Sequence, residues 1–259
     1  MEKTLTRNGV TLFYEVLGSG PTLLLSHGFG ASAAMWAPQR AVLSEHNQLI
    51  LWDMRGHARS DSPDAESAYS EAETVADMAA ILDAEGVSGA LIGGLSLGGY
   101  MSLAFARTYP ERVRGLLLFD TGPGYKQDAA REKWNGFARR QAEKYETRGL
   151  DAAPKGPETA GASHRSARGL AQAARGMLAQ VDARVIESLS AVSVPTLVLV
   201  GAEDAPYLAA ANYMAEKIPQ GELVVVPDAG HAANLDQPDA FNRAVLGFLA
   251  AHFSPAQGL

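Results

Sequence analysis

The sequence predicts an α/β protein: a mostly parallel sheet with helices on both faces. Three observations carry that expectation. Short apolar runs of strand length alternate with longer segments patterned as helices along most of the 259 residues, and such alternation builds parallel sheets. Hydrophobic residues make up 47% and charged residues 20%, enough to bury one large core. Cysteine is absent, which excludes a disulfide-built scaffold, thiolate metal sites and a cysteine nucleophile together.

Thr4–Thr6 and Val10–Leu17 read as two short strands around Asn8-Gly9, a dipeptide that supplies positive φ in a tight hairpin. Gly18–Pro21 is a turn, and Thr22–Ser26 is a buried strand ending in His27-Gly28-Phe29-Gly30. The next strand, Gln48–Trp52, ends in Asp53-Met54-Arg55-Gly56-His57. A helix over Glu71–Glu85 places Val75, Met78, Ala79 and Leu82 on one face. Strand Ala90–Gly94, helix Leu97–Thr108 and strand Val113–Phe119 follow. After Pro195 come strand Thr196–Val200, helix Tyr207–Lys217, strand Leu223–Val226 and a last helix over Pro238–His252.

Gly86–Ala106 contains no charged residue and is long enough to span a membrane, but it carries six glycines. It reads instead as a buried strand running into a buried helix, so no membrane association is expected. The N-terminal Met-Glu-Lys-Thr-Leu-Thr-Arg turns polar at once. No signal peptide is therefore expected, and a cytoplasmic location is the default.

Residues 122–190 interrupt the alternation and offer no strong strand. They read as a helical cap, or lid, inserted between core segments 1–121 and 191–259. The insertion holds twelve Lys and Arg against eight Asp and Glu, a net +4; the whole chain is −7, so the rest carries −11. Net acidity argues against a nucleic-acid partner, since phosphate neutralisation supplies most of such affinity. A basic insertion is able to draw in an anionic substrate through its local field, although solvated helix faces are the commoner origin of such charge.

Gly94-Leu95-Ser96-Leu97-Gly98 matches G-x-S-x-G where a buried strand turns directly into a helix. In that setting the serine sits on a sharp, strained turn with its hydroxyl above the sheet, and flanking glycines avoid clashes. A serine hydroxyl needs a base, and His231 follows a late strand, in Pro227-Asp228-Ala229-Gly230-His231. His27 and His57 lie inside early turns, while His46, His164 and His252 read as surface or loop residues. The base in turn needs a carboxylate. Asp204 and Asp120 both follow strands, and Asp204 is favoured because it gives the chain order Ser, Asp, His. Glu203 is read as a neighbour pointing elsewhere. Backbone amides of Phe29 and Leu97 are the candidate oxyanion donors. Trp134 and Phe137, three apart on a helix, are candidate pocket residues, as are Met35 and Trp36 after the early turn.

Taken in order, His27–Gly30, Asp53–His57, Gly94–Gly98, Gly201–Asp204 and Gly230-His231 resemble the α/β-hydrolase superfamily over nearly the whole chain outside the insertion. The resemblance implies an eight-stranded sheet, a Ser96–Asp204–His231 triad, an oxyanion hole at Phe29 and Leu97, and no metal or organic cofactor. Ala58 departs from the pattern, because relatives often carry a second glycine there; a local adjustment of the turn is expected. Ser96 argues against the dehalogenase branch, which uses an aspartate. Within the superfamily the chain is most similar to carboxylesterases, enol-lactonases and cofactor-free perhydrolases. The expected activity is hydrolysis of a small carboxylic ester or lactone through an acyl-enzyme on Ser96. A carbon–carbon bond hydrolase and a hydrolase-fold ligand receptor are the alternatives.

Overall fold

The structure, a computed structural model, describes residues 1–253. Its eight strands are β1 (Glu2–Arg7), β2 (Val10–Leu17), β3 (Thr22–Ser26), β4 (Gln48–Trp52), β5 (Ala90–Leu95), β6 (Val113–Phe119), β7 (Thr196–Gly201) and β8 (Gly221–Val226). They form one sheet in the order β1-β2-β4-β3-β5-β6-β7-β8. Strand β2 runs antiparallel to both neighbours, and every other pair is parallel. The first hairpin closes through Asn8 and Gly9, both at positive φ, 50° and 77°.

The helices around the sheet are α1 (Ala37–Ser44), α2 (Glu71–Ala84), α3 (Leu97–Thr108), α4 (Asp128–Arg148), α5 (Ala167–Ala173), α6 (Arg184–Glu187), α7 (Ala205–Lys217), α8 (Ala233–Asp236) and α9 (Pro238–Phe253). Strand side chains alternate between two buried layers, as a period of two requires. Leu23, Leu25, Leu49, Leu51, Leu117 and Phe119 pack with Leu43 of α1 and Phe241 and Val245 of α9. Leu24, Ile50, Trp52, Leu116 and Leu118 face the other way, onto Met78 and Leu82 of α2 and Met101 and Phe105 of α3. Each fully buried leucine contributes roughly 1.5–3 kcal/mol, so these two layers hold the sheet rigid beneath the loops at its edge.

Local chemistry sets the helix ends. Ser70 accepts a hydrogen bond from the Glu73 amide at 3.0 Å and caps α2. At the far end Gly86 adopts φ 67°, and Val87 N–H reaches Leu82 O at 2.9 Å, closing the helix. Helix α7 starts at Ala205, two residues before the sequence reading, because Asp204 occupies the N-cap position and Pro206 is tolerated in the first turn. A short 3₁₀ turn, Ala33–Trp36, and α1 had no sequence counterpart; α1 is only eight residues long, too short to show a helical period.

Between β6 and β7 the chain runs through α4, α5, a π-turn over Ala174–Leu178 and α6, with no strand. This insertion has a small core of Ala142, Tyr145, Leu170, Ala171 and Ala174. It docks on the body through Ala138, Ala173, Met177 and Leu178. Among the described residues, no helix is long and apolar enough to cross a membrane.

Candidate active site

The residues singled out above gather where the parallel strands end, the crevice in which open α/β sheets bind ligands. Strand β3 delivers His27–Gly30, β4 Asp53–His57, β5 Ser96, β6 Asp120, β7 Asp204 and β8 His231.

Ser96 stands between β5 and α3 at φ 53° and ψ −113°, a left-handed conformation that costs a non-glycine residue on the order of 1–3 kcal/mol. The surroundings impose it. The Ser96 amide donates to Phe119 O at 2.9 Å, and its carbonyl accepts from Tyr100 N–H at 3.1 Å and Thr121 Oγ1 at 2.6 Å. Close approach explains the glycine at 98: a Cβ there would lie 2.2 Å from the Ser26 carbonyl oxygen, so α3 sits against the end of β3 only with a bare backbone.

His231 Nδ1 donates to Asp204 Oδ2 at 2.8 Å. That bond leaves the opposite ring nitrogen, Nε2, as the one free to act as a base. The two loops come together because Gly201 has no side chain: a Cβ would lie 2.2 Å from Gly230 O. Glu203 contributes its backbone amide to Ala229 O at 2.9 Å, and its side chain is exposed. Burial pushes the imidazole pKa down. The Asp204 hydrogen bond and charge, helped by Glu158 and Asp120, outweigh burial and leave it above the ordinary histidine value.

Asp120 has a different occupation. Its fully buried carboxylate accepts from Gly201 N–H at 2.8 Å and Ala233 N–H at 3.4 Å, and it makes no hydrogen bond to His231. Burial raises its pKa to about 7, against the opposing pull of the Gly201 amide. It ties the ends of β6, β7 and the His231 loop together.

Tyr207, in the first turn of α7, was not anticipated. Its ring stacks on His231 with centroids 4.8 Å apart and 28° between planes. Burial pushes its phenol up to about 12, and the hydroxyl is close enough to the Ser96 side chain for the two to interact. Ser96 itself makes no direct hydrogen bond to His231 in this structure. The signal was present in the spacing: Tyr207 lies three residues after Asp204, and its amide bonds to Asp204 O at 2.9 Å.

The candidate oxyanion donors lie beside the elbow. Gly28 packs against Leu95 and Ser96, and among the described residues neither the Phe29 nor the Leu97 amide donates to a protein acceptor. Three histidines hold this loop. His27 Nε2 accepts from Met54 N–H at 2.9 Å, and His57 Nε2 accepts from Gly30 N–H at 3.2 Å. His164, expected at the surface or in a loop, does lie in a loop, but its ring is half-buried against His57, centroids 5.7 Å apart. It donates through Nε2 to Gly30 O at 2.7 Å and accepts at Nδ1 from Ala58 N–H at 3.1 Å. Ala58 adopts φ 38°, the strained conformation a glycine takes freely. His164 and Arg165, which donates to Ala58 O at 3.0 Å, hold it there. Burial keeps all three imidazoles neutral, His27 down to about 4 and the other two below the ordinary value.

Below the loop, Asp53 accepts from Ala33 N–H at 2.8 Å. Arg55 makes a two-pronged pair with Asp77 of α2, both bonds 2.7 Å and both partners buried. The Asp53–His57 motif therefore fastens the His27–Gly30 loop to the body.

Ser96, Phe29, Tyr207 and His231 open onto one cavity of about 970 Å³, which Trp134 and Phe137 of the insertion also line. Trp36 does not reach it. It is fully buried with Phe119 and Phe241, and Met35 lies in the same layer, so both candidates belong to the core rather than the pocket. The insertion's basic residues mostly point away. Arg131 pairs with Asp128, Arg139 with Glu132, Arg175 with Glu146 and Arg184 with Asp182. Only Lys126 among them lines the cavity, together with one acid, Glu158. Among the described residues, no cluster of three or more His, Asp or Glu is placed to hold a metal ion.

The sequence profile of the Alpha/beta hydrolase family matches residues 23–244. The chain is 31% identical to a provisionally named carbamate hydrolase, RutD, of Azorhizobium caulinodans, over 92% of this chain and 94% of that one. It is 30% identical to 3-oxoadipate enol-lactonase 2 of Acinetobacter baylyi, over 93% and 94%. A thermophilic esterase from Thermogutta terrifontis, determined with malate bound, superposes with a TM-score of 0.83 at 30% identity, covering 98% of this chain and all of that one.

Proposed function

The chain belongs to the alpha/beta hydrolase family, and we propose that within it this protein hydrolyses small carboxylic esters or lactones through an acyl-enzyme on Ser96. The observation that carries the proposal is the His231–Asp204 hydrogen bond of 2.8 Å beside a serine held at φ 53° on the wall of the same cavity. Outside acyl transfer to a hydroxyl nucleophile, that strain has no evident use.

His231 Nε2 takes the Ser96 hydroxyl proton as Oγ bonds to the substrate carbonyl carbon, and the carbonyl electrons move onto oxygen. The Phe29 and Leu97 amides receive that oxyanion; one such donor is worth about 3–4 kcal/mol in the transition state. Asp204 fixes the imidazole tautomer and supports its positive charge. When the intermediate collapses, the carbon–oxygen bond to the leaving alcohol breaks and His231 delivers the proton to that oxygen. Water then enters, His231 takes its proton, and the hydroxyl adds to the acyl carbon. Collapse returns the electron pair and a proton to Ser96. The insertion serves as the lid, residues 122–190 over core segments 1–121 and 191–259, and Trp134 and Phe137 form part of the acyl wall.

Hydrolysis of p-nitrophenyl acetate, butyrate and octanoate by wild type and Ser96→Ala tests this reading. Wild type is expected to turn over at least one of them, and Ser96→Ala to lose on the order of 10⁴-fold or more. Turnover that survives in Ser96→Ala overturns the assignment.

A further inference from the structure

The cavity contains a carboxylate that makes no bond in the hydrolytic mechanism, although its charge helps raise the His231 pKa. Glu158 lies in the Pro154–Thr159 turn of the insertion. Thr159 fastens that turn, donating to Pro154 O at 2.5 Å and accepting from Gly156 N–H at 3.2 Å. Thr159 is itself buried beside Gly30 of the oxyanion loop, which holds Glu158 at the edge of the site. The Glu158 side chain lines the same cavity as Ser96 and His231, is half-buried, and has no hydrogen bond or ion pair with any described residue.

The remaining wall is strongly aromatic: Tyr125, Trp134, Phe137, Tyr207 and Tyr213 all face the cavity. Tyr125, Trp134 and Phe137 form a continuous series, with centroids 6.1 and 5.3 Å apart. Lys126, the one basic side chain of the insertion on this wall, extends into solvent with its ammonium 5.7 Å from the Tyr213 ring centroid.

We propose that Glu158 and the aromatic wall form a subsite for an ammonium group, so that the preferred substrates are esters or lactones bearing a cationic amine. The inference rests on the hydrolase reading and names the substrate class for that site. A half-buried carboxylate without a counter-charge is costly, and an entering cation supplies one. Aromatic faces present negative potential to the same cation, worth roughly 0.5–2 kcal/mol according to its desolvation. A carboxylate-bearing substrate would meet Glu158, the one acid on the cavity wall. The net +4 of the insertion does not alter this, because all of its basic side chains except Lys126 lie off the cavity wall. Burial raises the Glu158 carboxyl above its ordinary pKa, with Asp204 and Asp236 adding to the rise and His231 opposing it, as expected of a site short of positive charge.

Two pairs of esters, each matched in shape, test the subsite at pH 8. The first carries the charge in the alcohol: acetylcholine against 3,3-dimethylbutyl acetate. The second carries it in the acyl group: p-nitrophenyl 4-trimethylammoniobutyrate against p-nitrophenyl 5,5-dimethylhexanoate. A p-nitrophenyl hemiester of glutarate supplies the anionic case. In at least one pair the cationic member is expected to have about tenfold higher kcat/KM, with the glutarate hemiester disfavoured. Glu158→Gln should cut that preference by about threefold or more, the remainder being the share of the aromatic faces. Equal rates in both pairs, a preference undiminished in Glu158→Gln, or a preference for the glutarate ester overturns the subsite. Labelling by a fluorophosphonate in the same preparations separates the two claims. Labelled Ser96 with no charge preference removes the subsite and leaves the hydrolase reading standing. Absence of both labelling and turnover removes both.

Discussion

The loops at the strand ends and the insertion above them contribute to one cavity by different means. At the strand ends, backbone touches backbone: Ser96 N–H bonds to Phe119 O, α3 approaches Ser26 O through Gly98, and the Asp204 and His231 loops meet across Gly201. The insertion meets the body by backbone at Gly169 and Gly176, beside Gly56 and Tyr69, and otherwise relies on side-chain bonds within itself and to the body. Trp134 Nε1 donates to Leu178 O at 2.8 Å, Asn135 Nδ2 to Gln180 O at 2.9 Å, and Arg165 holds the carbonyls of Ala58–Ser60. Backbone contacts fix positions to a few tenths of an ångström, as proton transfer and oxyanion binding require. Side-chain contacts can be exchanged one at a time, which suits a wall that selects substrates.

This contrast orders the expected effects of substitution. The largest fall in the body. Asp204→Asn removes the carboxylate that orients His231 and should lower kcat on the order of 10³–10⁴-fold. Asp120→Asn, at a site where the carboxylate accepts backbone amides and acts on His231 only through its charge, should lower it by less than about tenfold. Steady-state kinetics on the pair checks this, and equal losses would erase the distinction between the two acids. Asp204→Asn should also move the acid limb of the pH profile of kcat/KM downward, because the carboxylate holds the His231 pKa above its ordinary value.

An intermediate effect belongs to the seam between the regions. His27, His57 and His164 are held neutral in the folded chain, with His27 lowered to about 4, whereas unfolding returns each to the ordinary value of about 6.5. As pH falls below about 6.5 the unfolded chain takes up protons first, so the stability these groups contribute is full above that value and lost toward about 4. Denaturant midpoints at pH 7.5 and 5.0 should therefore fall less in His164→Gln than in wild type. The side-chain amide introduced by that substitution can keep the donation to Gly30 O, but it does not titrate. An equal fall would mean that His164 takes no part.

The smallest effect belongs to the insertion. Trp134→Ala should raise KM for p-nitrophenyl octanoate by about 3- to 10-fold through lost apolar contact, with less than about twofold change for acetate. Equal changes for the two esters would place Trp134 outside the acyl wall.

How much of this was legible in the sequence follows the same division. Strands β3, β5 and β7 read directly, because each is a continuous apolar run ended by glycine or a polar turn. Ser96, Asp204 and His231 could be placed at strand ends because the chain order dictates which loops share an edge. The residues that were missed act through contacts between segments remote in sequence. His164 meets Gly30 and Ala58 across more than a hundred residues, and no local pattern announces it. Glu158 sits in a turn broken by proline and glycine, where neither helical nor strand periodicity shows which side faces inward. Trp36 was misjudged because adjacency to the His27–Gly30 loop does not fix a side chain's direction; the 3₁₀ turn aims it into the core.

Trapping the acyl-enzyme tests the central claim most directly. Wild-type protein is mixed with p-nitrophenyl acetate, quenched in acid within one turnover and digested for mass spectrometry. The account predicts one acetyl group on the peptide that carries Ser96, absent when Ser96→Ala is treated in the same way. An acetyl group on another residue, or hydrolysis with no covalent adduct and undiminished in Ser96→Ala, would contradict it.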